Sequence, residues 1–396
     1  MSVKNADYYP SSIESYWLSS LLKAFPGEDR SSALEKLEEP IQALSDAFTC
    51  ERPRAFKNYG KAAEALLGYG IFYYPQTWTR VRFPLIEAHD LRGWTAPQDR
   101  PVKILDLGAG LGAASTSLAQ LCIDRFGSSS AEIMMIDHSA EALLQAHGAV
   151  QALNSDGYTL SLLTQKGDFR KYDGLPNPKK DTFDLIVISF AINEAFGPGN
   201  DKKAYAWLRK LKPLLNPQSL ILIAEPAMRE TNEQLYRISD RVAKDSIFEV
   251  WGPQLHISQC PAHYQDKFWT HEVREWSPPS SLKEINRTLW RSIEDLKFSY
   301  ATFGNASATL FESSKTFLRL VSPMSRMKGH YLLTGIATDG KKYIYDIPTR
   351  GYNRDELFAL DRINRGDIIE IAEVEEMEDR LRIPRPEDII YHFSPT

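Results

Sequence analysis

Hydrophobic side chains recur at helical spacing through the first quarter of the chain. Between residue 11 and about residue 95, apolar positions such as Ile13, Trp17 and Leu21 lie three or four residues apart, the interval typical of amphipathic helices. The segment 31–48 follows the same spacing, and Pro40 is expected to split it because proline disrupts a helix interior. We therefore predict an N-terminal helical region over residues 1–95, followed by a polar connection with two prolines at 95–101.

Residues 96–250 show a second pattern, in which short apolar runs alternate with helical segments. Largely apolar strands that are separated by helices are typical of a parallel sheet covered by helices on both faces. The predicted fold class of this core is therefore α/β. The predicted strands are 102–107, 133–136, 160–164, 183–189 and 220–224, and the predicted helices are 113–122, 140–152 and 204–215.

The last part of the chain changes to a two-residue period, which is typical of strands. Residues 251–297 first form a connecting segment rich in Pro, Trp and His, with a helix predicted near 282–296. From Phe298 onward the pattern predicts strands joined by polar turns, and one of these turns, 338–340, ends in a glycine that can adopt a positive φ. We predict a small antiparallel β-domain over 298–396, with a barrel as one possible arrangement. Its strands are expected at 317–321, 331–336, 343–347 and 367–374.

A glycine-rich turn follows the first predicted strand of the core and opens the next helix. Its sequence is Asp106-Leu-Gly-Ala-Gly-Leu-Gly112, in which glycine permits a tight turn and lets a ligand approach the backbone. The amide groups at the start of the helix are free to donate hydrogen bonds to a ligand. The spacing of the first two glycines and of Ala113 also satisfies the dinucleotide fingerprint, so the glycines alone leave NAD open.

Acidic residues lie near the carboxyl ends of three of the predicted strands, and they favour a different ligand. Asp106 can meet an ammonium group, Asp137 can accept both hydroxyls of a ribose, and Asp168 can meet an adenine amino group. Ligands of open α/β sheets bind at the carboxyl ends of the strands, where these acids lie. These groups, without a pyrophosphate, describe S-adenosylmethionine better than NAD; the other interpretation is that the acids are helix caps or solvated loop ends. The predicted cofactor-binding residues are Asp106, Gly108, Ala109, Gly110, Gly112, Asp137, His138, Asp168, Phe169 and Ser189.

In these features the core resembles the seven-strand, Rossmann-like class I methyltransferases. The resemblance includes the segment 183–189 as the fourth strand and 220–226 as the fifth strand, in addition to the glycine-rich turn. It implies an α/β sheet of that class, S-adenosylmethionine as the cofactor, and methyltransferase activity. These motifs are shared by many enzymes, so they do not identify the methyl acceptor.

Five segments on the flanks of these motifs narrow the resemblance, and they are 74–84, 190–196, 252–256, 269–271 and 297–300. In their order along the chain they are similar to a narrower family, the methyltransferase-like assembly proteins of the mitochondrial small ribosomal subunit and their bacterial relatives. The similarity extends over about residues 60–370. The resemblance implies RNA or the small ribosomal subunit as a partner.

Mitochondrial members of that family hold an iron–sulfur cluster with four cysteines, and this chain departs from that pattern. Gln254 and Thr270 stand where the family has cysteine, a third cysteine near Ile336 is also absent, and only Cys260 is present. One thiolate cannot hold such a cluster, so we predict no iron–sulfur cluster and no metal. Zinc is the other interpretation, because four side chains have suitable spacing: His256, Cys260, His263 and His271.

The segment after the fourth strand supplies the candidate catalytic residues, Asn193 and Glu194. Methyl transfer from a sulfonium depends largely on positioning, so a strong base is not required. We predict that Glu194 orients the acceptor or removes its proton; its other interpretation is a carboxylate in the first turn of a helix. Two hypotheses stand: a methyltransferase that acts on RNA or a ribosomal component, and a catalytically inactive, cofactor-binding assembly factor of the small subunit.

Composition and charge indicate the class of protein, its compartment and where RNA could bind. The 396 residues are 43% hydrophobic and 25% charged, as in soluble globular proteins, and no apolar run is long enough to span a bilayer. Three cysteines are too few for a disulfide framework, so we expect a cytoplasmic protein without a membrane partner. Because the net charge is −5, an RNA-binding surface would have to be local. Residues 313–354 offer one, with eight Lys or Arg against Asp339 and Asp346, and with Tyr331, Tyr343 and Tyr345 for stacking.

Overall fold

The first part of the chain is helical, as predicted. The computed structural model describes residues 8–49, 63–171, 174–256, 259, 270–289, 293–350, 352–378 and 380–393. The N-terminal helices are α1 (Ser11–Ala24), α2 (Arg30–Glu35), α3 (Glu38–Thr49), α4 (Ala63–Gly68), α5 (Tyr74–Arg80) and α6 (Arg82–Arg92), and a π-helical turn, Tyr69–Tyr73, joins α4 to α5. Pro40 lies in the first turn of α3 rather than at the break before it, because N–H groups in a first turn have no partner within the helix.

A large sheet forms the middle of the chain and confirms the predicted α/β class. Its strands are β1 (Val102–Leu107), β2 (Ala131–Asp137), β3 (Leu160–Lys166), β4 (Phe183–Ser189), β5 (Leu215–Pro226), β6 (Glu249–Gly252), β7 (Glu272–Glu275) and β8 (Asp295–Gly304). The strand order is β3-β2-β1-β4-β5-β8-β6, with β7 paired to β8. Strands β1 to β5 run parallel, and β8 is antiparallel to both β5 and β6. The helices of this part are α7 (Ala113–Asp124), α8 (Ala140–Ser155), α9 (Ile192–Phe196), α10 (Asp201–Leu208), α11 (Arg229–Asp245) and α12 (Ser280–Thr288).

Strand β8 corrects the predicted start of the C-terminal β-region. The two-residue period predicts a separate β-domain from Phe298 onward, but β8 pairs with β5 over seven positions of the large sheet. Its residues from Phe298 to Gly304 are all buried, including Ser299 and Thr302. A strand that is covered on both faces does not alternate between core and solvent, so the period of its sequence did not show which sheet it joins.

The N-terminal helices pack against the helices that cover the large sheet. The hydroxyl of Tyr16 in α1 donates to the carbonyl oxygen of Gln145 in α8 at 2.9 Å. The hydroxyl of Tyr74, at the start of α5, lies 2.7 Å from Oγ1 of Thr116 in α7, and both side chains are buried. These contacts place α5 beside the helix that follows the glycine-rich turn.

A second sheet follows the first, as predicted. Its strands are β9 (Phe317–Leu320), β10 (Ser325–Met327), β11 (His330–Ala337), β12 (Lys342–Pro348), β13 (Ile368–Ile371), β14 (Glu375–Glu376), β15 (Leu381–Arg382) and β16 (Ile389–Phe393), with helix α13 (Arg354–Leu360) between β12 and β13. The order is β14-β15-β12-β11-β9-β13-β16, with β10 beside β11, and all pairs except β12 with β15 are antiparallel. Gly340 turns the β11–β12 hairpin at a φ of 81°. Within the described residues β14 and β16 do not pair with each other, so the sheet is open and not a barrel.

The basic surface that the sequence indicated on this second sheet is smaller than expected. Tyr331 and Tyr345 are buried, so neither ring is available to stack on a base. Arg319 is also buried, and its guanidinium forms ion pairs with Glu87 and Glu272 of the first sheet and its helices. Tyr331 and Tyr345 belong to the apolar core of the second sheet, whereas Arg319 is buried by its contacts with the earlier part of the chain; the local sequence reveals neither environment.

No described helix is both long enough and apolar enough to cross a membrane.

Candidate functional site

A cavity of about 600 Å³ lies at the carboxyl ends of the parallel strands. Its wall combines the glycine-rich turn after β1 with the ends of β2, β4 and β5, the loop after β3, and part of the N-terminal helical region. The volume falls within the range that is typical of small-molecule and cofactor sites. The predicted site residues that line it are Gly108, Ala109, Gly110, Asp137, His138, Asp168, Phe169, Ser189 and Glu194.

The glycine-rich turn needs its glycines for different reasons. Gly108, Gly110 and Gly112 have φ angles of 77°, 54° and 79°, in the left-handed region that favours glycine. A Cβ on Gly108 would press against Ala191, and a Cβ on Gly112 would overlap the side chain of Met135. No atom lies within 4 Å of the position that a Cβ on Gly110 would take. Gly110 therefore faces open space in the cavity, whereas Gly112 serves packing at the start of α7 and does not line the cavity.

Asp137 ends β2 with its carboxylate fixed by backbone groups. Its Oδ2 accepts a hydrogen bond from the N–H of Gly110 at 2.8 Å, and its Oδ1 accepts one from the N–H of Ser139 at 2.8 Å. Nδ1 of His138 lies 3.2 Å from the same Oδ1. Each carboxylate oxygen can accept more than one hydrogen bond, so the oriented group can still receive hydroxyl donors.

Asp168 is held by an arginine rather than left open to the cavity. Arg170 donates to it in a bidentate arrangement, from Nε to Oδ1 at 2.8 Å and from Nη2 to Oδ2 at 2.7 Å, which lowers the pKa of Asp168. The neighbouring ring of Phe169 packs against Trp207, with 5.3 Å between the ring centroids. The cavity wall therefore has the apolar ring of Phe169 next to Asp168, whose carboxylate is paired with Arg170.

Asp106 lies behind the glycine-rich turn and does not line the cavity. Its Oδ2 accepts hydrogen bonds from the hydroxyl of Ser115 at 2.6 Å and from the N–H of Ser115 at 3.2 Å. Complete burial of the side chain raises its pKa to about 7, and the bonds from Ser115 offset part of that rise. Its Oδ1 is buried without a hydrogen-bond partner among the described residues. Contact between Asp106 and an ammonium group stays a prediction.

Asn193 and Glu194 follow β4 at the start of α9, and of these two only Glu194 lines the cavity. Oε1 of Glu225 accepts hydrogen bonds from the N–H groups of Ile192 at 2.8 Å and Asn193 at 3.4 Å, which fixes the start of the helix. Glu194 lines the cavity. Asn193 is buried, does not line the cavity, and has no hydrogen-bond partner at Oδ1 within the described residues.

The N-terminal region contributes a wall of the cavity that the sequence did not predict. The π-helical turn and α5 together bring six side chains to the cavity, about thirty residues or more before the glycine-rich turn. π-Helical turns are rare and often occur at functional sites, but hydrophobic spacing does not reveal them. Four aromatic residues among the six at 69–74 are the signal that the sequence offers. These cavity residues are Tyr69, Phe72, Tyr73, Gln76, Thr77 and Arg80.

Phe190 is a second residue that the sequence analysis did not assign to the site. It follows β4, lines the cavity and has a φ of 58°, which is an unusual angle for a bulky side chain. Its N–H donates to the carbonyl oxygen of Ala224 at 2.7 Å, which helps to hold this conformation. Such outliers cluster at ligand sites, and here the ring lies beneath the guanidinium of Arg80, 5.4 Å from its centroid.

Of the four side chains in the zinc interpretation, the structure describes His256 and His271. His271 lies 3.2 Å from Nη1 of Arg365, and burial together with that charge lowers the pKa of His271 to about 4. No group of three or more His, Cys, Asp or Glu side chains is placed to hold a metal within the described part of the chain. Cys260 and His263 lie outside it. Gln254, Thr270 and Ile336 line one cavity of about 30 Å³.

Comparison with known proteins concerns the same part of the chain. Residues 98–280 match a family model described as a methyltransferase domain. Similar solved structures include a methyltransferase from Pyrococcus furiosus, with 13% identity over 56% of this chain and 83% of that chain and a TM-score of 0.32. The magnesium protoporphyrin IX methyltransferase from Synechocystis, with bound SAH, has 12% identity over 67% and 99% of the two chains and a TM-score of 0.31. NSun6 from Pyrococcus horikoshii, with SFG, has 15% identity over 58% of this chain and 51% of that chain and a TM-score of 0.33.

The family match and the strand order support one assignment. No curated protein matches the sequence of the chain. Because the TM-scores are all below 0.5, the assignment rests on the family match over 98–280 and on the arrangement of the large sheet, in which β8 is antiparallel between β5 and β6. Residues 98–280 therefore match a methyltransferase domain, and the large sheet has the Rossmann-like arrangement of the class I methyltransferases, whose methyl donor is S-adenosylmethionine.

Proposed function

We propose that the chain binds S-adenosylmethionine in the cavity at the strand ends and transfers its methyl group to an acceptor that reaches Glu194. The observation that carries this proposal is the joint between two parts of the cavity wall, where the N–H of Gly110 donates to Oδ2 of Asp137 at 2.8 Å. This bond places a glycine, which has no side chain, beside a carboxylate of fixed orientation. That combination suits a nucleoside whose ribose hydroxyls need acceptors and whose tail must pass close to the chain.

The residues around the cavity fit this cofactor part by part. Asp137 and His138 would hold the ribose, and Phe169 would pack against the adenine. Asp168 could accept from the adenine amino group beside its bonds from Arg170, because a carboxylate has more acceptor sites than Arg170 uses. The open space at Gly110 admits the part of the ligand that crosses the glycine-rich turn.

The cofactor brings an activated methyl group, and the residues of the chain would position what receives it. Ser189 and Glu194 line the cavity after β4, and Tyr69 of the N-terminal region lines the same cavity. Burial, together with the nearby charge of Glu194, raises the pKa of Tyr69, so the phenol stays protonated and can donate a hydrogen bond. Glu194 would orient the acceptor or accept its proton, and exclusion of water from the cavity would keep that contact selective.

We also propose RNA or a component of the small ribosomal subunit as the acceptor. The support is the resemblance of the flanking segments to the small-subunit assembly family, together with exposed cations on the second sheet. Arg326, Lys328, Lys341 and Arg350 are exposed along or next to β10–β12, so a local basic surface is present even without Arg319. Phosphate contacts from such side chains would be weakened by salt.

Transfer of a labelled methyl group tests this function. The full chain is incubated with methyl-tritiated S-adenosylmethionine and, in separate reactions, total RNA or ribosomal subunits at low salt. We expect label in one of these fractions from the unmodified chain and much less from the Glu194→Gln variant. Subunit binding without any transfer would contradict the enzymatic proposal and indicate the inactive assembly factor. Failure to bind either RNA or subunits would contradict the proposed acceptor, and small molecules would then be screened.

A further inference from the structure

One cation in the cavity has no counter-ion in the described part of the chain. Arg80 ends α5, lines the cavity and is half-buried. Its Nη2 donates a hydrogen bond to Oε1 of Gln76 at 3.0 Å, and its Nε is buried without a hydrogen-bond partner. Among the described residues, no carboxylate forms an ion pair with it. A partly desolvated charge without a partner is costly, so this position favours an anion.

The guanidinium is oriented by its neighbours rather than free to move. Nε2 of Gln76 donates to the carbonyl oxygen of Phe72 at 2.7 Å, which fixes the amide that receives Arg80. On the other side, the guanidinium lies over the ring of Phe190. Burial lowers the pKa of Arg80 to about 10, which still leaves the group protonated at neutral pH. A planar, oriented guanidinium is suited to a carboxylate or a phosphate.

The strand order indicates which anion reaches this group. Strands β3, β2, β1 and β4 are neighbours in that order. If the adenine lies at the end of β3 and the ribose at the end of β2, the remainder of the ligand crosses the glycine-rich turn after β1. It then arrives at the end of β4, where Phe190 and Arg80 lie. The part of S-adenosylmethionine at that end is its methionine moiety, which carries a carboxylate.

Contacts between α5 and α7 fix the position of Arg80 relative to the glycine-rich turn, and they do not depend on the acceptor. The hydroxyl of Ser117 in α7 donates to the carbonyl oxygen of Trp78 in α5 at 2.6 Å. Together with the contact between Tyr74 and Thr116, this bond ties α5 to the helix that begins after Gly112. The distance from Arg80 to the cofactor site is therefore set by packing within the chain.

We propose that Arg80 binds the carboxylate of the methionine moiety of S-adenosylmethionine, with Gln76 as the residue that orients it. This inference rests on the proposed function, because it assumes the same cofactor in the same cavity. It makes the N-terminal helical region part of the cofactor site. Arg80 could instead bind an anionic group on the acceptor. The ligands of the titration below distinguish that anion from the methionine carboxylate.

Calorimetric titration of three nucleosides tests the inference. The ligands are S-adenosylmethionine, its decarboxylated form, and methylthioadenosine, which lacks the amino acid altogether. The unmodified chain is expected to bind S-adenosylmethionine about tenfold or more tightly than the decarboxylated form, because a charge-assisted pair is formed only with the first. In Arg80→Gln this preference should disappear, while the affinity for methylthioadenosine stays unchanged and shows that the cavity is intact.

Lys297 offers a matched control, because it also lines the cavity but is exposed. Lys297→Gln should keep the preference for the carboxylated ligand; an equal loss in both variants would indicate the general charge of the cavity and overturn the assignment to Arg80. An unchanged preference in Arg80→Gln would also overturn it and assign the anion to the acceptor. Equal weakening of all three ligands would show a structural role and overturn it as well. If none of the three binds to the unmodified chain, the proposed function fails, and the inference fails with it.

Discussion

Gly110 and Asp137 are joined by a hydrogen bond of 2.8 Å from a backbone N–H to a carboxylate oxygen. The bond connects the turn after β1 to the end of β2, and a second bond, from the N–H of Ser139, holds the other carboxylate oxygen at 2.8 Å. The acid therefore faces the cavity in a fixed orientation before any ligand binds. Pre-orientation of this kind reduces the entropy that binding has to overcome.

Replacement of Asp137 should weaken cofactor binding without unfolding the domain. In Asp137→Asn one oxygen acceptor becomes an amide donor, so a hydroxyl of the ribose and one of the two backbone N–H groups lose their charged partner. We expect S-adenosylhomocysteine to bind about tenfold or more weakly, in line with the loss of a hydrogen bond to a charged group. Glu132→Gln is the control, because Glu132 is an exposed acid earlier on the same strand. Equal affinities in the two variants would contradict the role of Asp137.

Two alanine substitutions in the glycine-rich turn should have different effects. In Gly110→Ala the new methyl group meets no protein atom but occupies the space that faces the ligand, so binding should be lost while stability falls by only about 1–2 kcal/mol from the positive φ. In Gly112→Ala the methyl group overlaps Met135, so the free energy of unfolding should fall further. Thermal denaturation and titration of S-adenosylhomocysteine measure both effects. Normal binding in a folded Gly110→Ala variant would contradict the placement of the cofactor at this turn.

The buried carboxyl of Asp106 should make stability depend on pH. Its pKa is about 7 in the folded chain, against an ordinary value of 3.8, so between these values the folded state holds a proton that the unfolded state has released. The free energy of unfolding should therefore decrease as the pH rises from about 4 to about 7 and level off above that range. The side chain of the Asp106→Asn variant cannot ionise. Over this window the free energy of unfolding of the variant should fall by about 1 kcal/mol or more less than that of the unmodified chain. Urea denaturation at both ends of the window measures the difference; parallel curves for the two proteins would contradict the raised pKa.

The two neighbouring candidates after β4 should separate in an assay of methyl transfer. Glu194→Gln removes the carboxylate from the cavity wall, so transfer should fall by about a hundredfold or more if it accepts a proton, while binding of S-adenosylhomocysteine is retained. Asn193→Ala acts on a buried side chain outside the wall and should lower stability more than transfer. The reverse ranking of the two variants would exchange their roles.

The part of the site that sequence reasoning identified is the part that is local along the chain. The apolar run 102–107 could be recognised as a buried strand, and the glycines and Asp137 follow their strands directly, so their meeting at one edge of the sheet follows from parallel topology. The same argument located Ser189 and Glu194 after β4. Sequence alone could not show that Asp106 is buried against Ser115 and does not line the cavity, because the motif is compatible with more than one orientation of this side chain.

The remaining features depend on contacts between distant segments. Arg80 reaches the cavity only because Tyr74 and Trp78 dock α5 on α7, a tertiary contact without a periodic signal. Tyr331 and Tyr345 resembled exposed stacking residues, but the fold of the second sheet buries them. In each case the local sequence is compatible with more than one environment, and packing selects one of them.

Titration of the unmodified chain with S-adenosylhomocysteine, with NAD as the competing ligand, tests the central claim most directly. We expect S-adenosylhomocysteine to bind at one site with micromolar affinity, and we expect NAD not to displace it. The absence of binding, or preferential binding of NAD, would contradict the assignment of this cavity to the sulfonium cofactor.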